Sequence, residues 1–245
     1  MSFLILTHLR KMDTQQFEEQ IIKSLKSVID TIINNNLTPN ISAKARAGAE
    51  ISDLLEKEFV KQTNGHQYFI NSESSPQGAT KNPWDAKTYF KLNNHEELIW
   101  IDFKAVKVSG KDSNPDIGTP NKVFDLIKEH NAFYLTYIYV YYKETNNGIE
   151  FVRGANNEFA KIYFLKDVSH TFRRTPKNQL QINISAEPEY RTREEFIKLL
   201  LTKIKESHRR QIEISQKALK ELEESNLLNE LLEKNSNQED IIKNL

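Results

Sequence analysis

The sequence contains no cysteine. That excludes disulfides, thiolate metal sites and cysteine nucleophiles, and removes any sign of a secreted, disulfide-built scaffold. Glycine is scarce, seven in 245 residues, less than half the usual ~7%, so collagenous and Gly-rich low-complexity classes are excluded. No apolar run approaches the ~18–20 residues of a membrane span. The segment Phe3-Leu4-Ile5-Leu6 is shorter than a signal-peptide core of ~7–15 residues and no small-residue cleavage site follows it. A soluble, intracellular protein is expected. Net charge is absent as well: 34 Lys and Arg balance 34 Asp and Glu, so a nucleic-acid surface would require local segregation of charge.

Such segregation exists near the C-terminus. From Tyr190 to Arg210 seven basic residues face three acids, whereas from Gln216 onward four lysines face seven acids. This stretch reads as one long helix, with Thr192 and Glu195 as its N-terminal cap pair and a stripe of Phe196, Leu200, Ile204, Ile212, Leu219 and Leu222. A helix beyond the usual 8–20 residues suggests packing against another chain or an arm along a ligand. The basic half is expected near DNA and the acidic half against protein. Asp13-Thr14-Gln15-Gln16 reads as the start of an earlier helix to about Asn34, and Ser42 as the cap of a second reaching Lys61. That second helix carries Ala47, Ile51, Leu54, Leu55 and Phe59, and Glu50 points toward its packed side.

The period then changes. His66–Ile70, Trp84–Leu92 and Leu98–Val108 have the aromatic and β-branched composition of strands, with Asn93–Glu96 as a hairpin loop. A loop over 109–119 leads to Pro120, which opens a helix to about His130 with Val123, Phe124 and Ile127 inward. Ala132–Tyr142 is apolar on both faces and therefore reads as a central strand. Ile149–Arg153 and Phe159–Leu165 add two more. By length this is one large domain with an appendage: a domain over 1–190, its core about 42–165, and a helical segment over 191–245.

The informative pair is Asn82-Pro83-Trp84-Asp85 and Trp100-Ile101-Asp102-Phe103-Lys104. An acid-x-Lys triplet alone means little, since the composition yields roughly 3.5 by chance and the sequence holds two. Asp102 and Lys104, however, fall inside LIWIDFKAVKV, which otherwise reads as a buried strand. Period two puts Asp102, Lys104 and Val106 on one face and Ile101, Phe103 and Ala105 on the other. An acid and a lysine inside a core strand are costly unless paired or used. With about seven residues on each side of the hairpin, Asp85 arrives level with Asp102. Two carboxylates so close repel, and a hard divalent cation such as Mg²⁺ relieves the repulsion.

The arrangement resembles the PD-(D/E)xK nuclease superfamily, specifically type II restriction endonucleases with an Asp-x-Lys version of the motif. Asp85 and Asp102, with Pro83-Trp84-Asp85 in place of Pro-Asp, stand at a spacing common in that family, and the order helix, three strands, helix, strand over 42–142 is similar to its core. The resemblance implies an α/β (α+β) fold, a central mixed sheet flanked by helices. It also implies Mg²⁺ held by Asp85, Asp102 and the Phe103 carbonyl, with Glu50 as the helix acid and Lys104 beside the ion. By the same resemblance the protein is a homodimer in a bacterial cytoplasm, cleaving double-stranded DNA to 5′-phosphate ends beside a cognate DNA methyltransferase. Phosphate contacts are expected from Lys107, Lys111, Arg209 and Arg210, and loop contacts from Arg173 and Arg174, with base reading in loops 109–121 and 166–179. The rival readings are a non-catalytic DNA-binding or helical scaffold protein, and a repair or resolvase-type nuclease on the same core. The six histidines show no metal spacing, and no Walker, G-x-G-x-x-G or G-x-S-x-G motif is present.

Overall fold

A computed structural model describes residues 2–42, 47–76, 84–109, 114–130, 134–175, 179–224 and 232, with side chains from Thr14 onward. Helix α1 (Ser2–Asn35) precedes α2 (Ala47–Thr63), then strands β1 (Phe69–Ser74), β2 (Ala86–Leu92) and β3 (His95–Lys107). Helix α3 (Pro120–His130) leads into β4 (Leu135–Thr145), β5 (Gly148–Phe151) and β6 (Ala160–Phe164). A 3-10 turn (Leu165–Asp167), the short strands β7 (Arg173–Arg174) and β8 (Leu180–Gln181), and helix α4 (Arg193–Glu224) complete the order. Six strands form one mixed sheet, β1-β2-β3-β4-β5 with β6 also on β4. The β3–β4 pair is parallel and the others antiparallel. The fold is α+β, as the sequence indicated. The chain divides into two compact units, 1–199 and 200–245.

In the first unit, α1 and α2 cover one face of the sheet. Ile21, Leu25 and Ile29 of α1 and Ile51, Leu55 and Phe59 of α2 join Ile101, Phe103, Ile138 and Val140 in one buried cluster. Three- and four-residue spacing puts those helix residues on one face, and period two puts Ile101 and Phe103 on the matching side of β3. The opposite face carries Trp100, Asp102 and Lys104. There Tyr137 Oη donates to Ile117 O at 2.8 Å, just ahead of α3, and the Trp100 ring meets His130 at 5.5 Å. The residues just before α3 and the last residue of α3 thus meet the second face.

Several boundaries differ from the sequence reading. Helix α1 begins at Ser2 rather than at Asp13, because nothing in residues 2–12 breaks a helix. The first described residue of α2 is Ala47 and Ser42 is not helical; 43–46 lie outside the described residues. On α3 the buried residues are Val123 and Leu126, with Phe124 and Ile127 half-buried. Pro120 is buried too, which turns the inward face toward the 120–123 side. Glu50, expected toward the packed side, is exposed; the buried face follows Ala47, Ile51 and Leu55 and leaves it outside.

Candidate active site

The β2–β3 hairpin builds the site. Its turn is Asn93-Asn94, with Leu92 opposite His95. Asn93 takes φ +55°, a left-handed conformation that asparagine tolerates better than most residues. That tight turn fixes the register, and the ladder ends at Ala86 opposite Ile101. Asp85 N–H still donates to Ile101 O at 2.7 Å, which carries Asp85 to the level of Asp102. Beyond this point β3 has lost its β2 neighbour, so the edge amide and carbonyl of Phe103 need other partners. The amide donates to Asp85 Oδ2 at 2.7 Å. The carbonyl accepts from Ser52 Oγ of α2 at 3.1 Å. The backbone of one residue thus holds the Asp85 carboxylate and ties β3 to α2.

Asp102 is 4% exposed. Lys104 Nζ lies 2.6 Å from its Oδ1, an ion pair between the two charged residues of this strand face. Burial pushes the Asp102 carboxyl up to about 7; Lys104 pulls it down and Asp85 pushes it up again. Asp85 is also raised, first by burial, against the lowering effect of the Phe103 amide and Lys104. The two carboxyls are near enough to share a proton. The lone ammonium does not offset one buried and one half-buried carboxylate. Two carboxyls beside the Phe103 carbonyl are oxygen donors of the kind a hard divalent metal takes, although no group of three or more Asp, Glu, His or Cys gathers among the described residues.

The parallel register extends the site face across the sheet. Asp102 stands opposite Tyr137 and Lys104 opposite Tyr139 on β4, and Tyr137 opposite Tyr163 on β6. The rings of Tyr137 and Tyr139 stack at 5.9 Å, those of Tyr139 and Tyr163 at 5.5 Å. These aromatic walls, with Trp84 and Trp100 at 4.9 Å, exclude water on one side of the acids and raise their pKa.

The structure brings Asp85, Asp102, Lys104 and the Phe103 backbone together, and leaves Glu50 elsewhere on α2. The helix carboxylate whose charge raises Asp85 is Asp53, and Glu56 next to it is raised by burial and by Asp85 and Asp53. The sequence reading did not single out Asp53. It follows Ser52, the residue that touches Phe103, but which acid of Glu50, Asp53 and Glu56 meets the strand depends on how α2 is rotated against the sheet. Among the remaining candidates, Lys107 pairs with Glu144 at 2.6 Å and Lys111 lies outside the described residues. Arg173 donates through Nε and Nη2 to Gln181 Oε1 at 3.2 and 3.0 Å, and Arg174 is its neighbour on β7. Asp116 bridges to Gln181, and Ile117 N–H donates to Leu180 O at 2.7 Å. The two loops expected to read bases are therefore stitched side by side. Arg209 and Arg210 are exposed on α4, in the second unit.

The model of the SwaI-like family, described as SwaI restriction endonuclease, matches residues 13–222. The chain belongs to this family of restriction endonucleases. It is thus a restriction endonuclease, as the sequence resemblance implied. Among solved structures, the NlaIV restriction endonuclease is similar over 76% of this chain and 78% of that one, at 15% identity and a TM-score of 0.45. No curated protein matches. Among the described residues no helix is long and apolar enough to cross a membrane.

Proposed function

We propose that this restriction endonuclease is Mg²⁺-dependent and hydrolyses both strands of a specific duplex sequence to 5′-phosphate and 3′-hydroxyl ends, acting as a homodimer alongside a cognate methyltransferase. The observation that carries the reading is the buried Asp102 with the half-buried Asp85 level with it and Lys104 on the same strand face as Asp102. Asp85, Asp102 and the Phe103 carbonyl would hold the metal, with Asp53 rather than Glu50 as the helix acid. When bound, Mg²⁺ polarises the scissile phosphate and makes water a better nucleophile. Lys104, 29% exposed at its side chain, reaches substrate. As an ammonium it orients the attacking water and offsets charge developing on the phosphoryl oxygens. Ser52 and Asp85 fix the Phe103 peptide between them, and the tyrosine wall keeps bulk water off the acids.

Incubation with long duplex DNA tests this. Discrete fragments with Mg²⁺ or Mn²⁺, and binding without cutting in Ca²⁺, are expected. Asp102→Ala and Lys104→Ala should each lower single-turnover cleavage about 10²-fold or more. Undiminished cutting in excess EDTA or by Lys104→Ala would overturn the reading. A smear or structure-dependent nicking would indicate a repair-type enzyme instead.

A further inference from the structure

Helix α4 changes sign along its length while keeping an apolar stripe. From Leu200 to Arg210 there are four basic residues and one acid; from Glu213 to Glu224 there are four acids and two lysines. Leu201, Ile204, Ile212 and Leu219 recur at spacings of three, eight and seven, multiples or sums of three and four that keep them on one side of a helix. Leu201 is 41%, Ile212 56% and Leu219 59% exposed. The intrahelical pairs Lys203–Glu206, Lys217–Glu221 and Lys220–Glu224 are exposed and worth little. Among the described residues, Lys205 at one end and Glu223 at the other make no ion pair and flank the stripe on the same side, each about 50° from its centre.

A uniformly anionic partner such as DNA matches only the basic end of this face. A parallel copy sets like charge against like. The same helix running in the opposite direction matches both ends, with Leu201 and Ile204 against Leu222 and Leu219, and the basic end of each copy beside the acidic end of the other. We infer that α4 pairs antiparallel with α4 of a second copy of this chain, about a two-fold axis beside Ile212. The surface is isologous, as a two-fold dimer requires, and about 30 Å long from Leu201 to Leu222. This rests on the homodimer in the function proposed above and deepens it by naming the contact.

The absence of cysteine makes the test clean. Single variants Ile212→Cys, Ile204→Cys and Leu219→Cys of the full chain are oxidised in solution, without DNA, and the linked dimers counted on denaturing gels. Ile212→Cys alone should link efficiently. Ile204→Cys and Leu219→Cys should link poorly alone, and at least tenfold more when the two proteins are mixed. Linking of Ile204→Cys and Leu219→Cys each with itself would mean a parallel pair and overturn the proposal. So would failure of Ile212→Cys to link. Sedimentation of the wild-type chain separates the two readings: a dimer that does not link at Ile212 keeps the homodimer and discards this surface. A log K versus log salt slope for DNA that flattens by one to two units in Arg209→Ala/Arg210→Ala would put this helix on DNA and also overturn it.

Discussion

Replacing Asp102 by Asn removes a charge that the fold buries at a cost, so the variant should be dead as a nuclease and more stable as a protein. In the folded chain the carboxyl is pushed from 3.8 up to about 7, chiefly by burial. A folded-state pKa above the unfolded one means that the native state holds more protons; stability present at low pH is lost as pH rises between those two values. A displacement of that size corresponds to roughly 4 kcal/mol at most. The Asn amide keeps the volume and can donate to Asp85, while its own burial takes back part of the gain. A net stabilisation of about 2–4 kcal/mol is expected at pH 8 in EDTA, a rise of roughly 5–15 °C in Tm for a chain of this size. At pH 5, where wild-type Asp102 is already protonated, the gap should shrink to about 1 kcal/mol or less. Thermal melts at both pH values measure it. Adding Mn²⁺ should raise the wild-type Tm by linkage and leave Asp102→Asn nearly unmoved. Equal stability of the two proteins at pH 8 would refute the strained-acid argument, whatever happens to cleavage.

Lys166 is 1% exposed and pairs with Glu18 Oε2 and Asp167 Oδ1, each at 2.8 Å, while donating to Arg191 O at 2.9 Å. Lys166→Met should cost about 3–5 kcal/mol, because it strands two buried carboxylates. Both carboxyls are already raised by burial, and loss of the ammonium raises them further. The penalty should therefore be larger at pH 8 than at pH 5; a deficit independent of pH would show that only packing was lost. Asp53→Ala should slow single-turnover cleavage about tenfold or more and Glu50→Ala by less than threefold, estimates for the loss of one electrostatic contact; the reverse order would return Glu50 to the site. Thr192→Ala removes a cap in which Thr192 N–H donates to Glu195 Oε2 at 2.7 Å and Glu195 N–H to Thr192 Oγ1 at 3.3 Å. About 1 kcal/mol of stability should go with it, read by denaturant unfolding.

The sequence by itself determined the elements and the acid pair. Period two along β3 assigned Asp102 and Lys104 to one face, and the length of the β2–β3 hairpin carried Asp85 to the level of Asp102, since an antiparallel turn fixes register locally. The same locality made Pro120, Thr192 and the central strand legible. What lay beyond reach depended on how elements turn against one another. Whether α2 turns Glu50 or Asp53 toward the strand is a rotation of about 60° around the helix axis, which depends on how Ile51, Leu55 and Phe59 pack against the β3 side chains. The tyrosine wall behind the acids exists because β4 lies parallel to β3 in a register that sets Tyr137 beside Asp102, and a crossover through α3 leaves that register unspecified in the sequence. The buried Lys166 cluster joins α1 to residues some 150 positions later, and the two stitched loops meet across 65 residues. Contacts over such separations follow from burying two sheet faces at once, which no local pattern encodes.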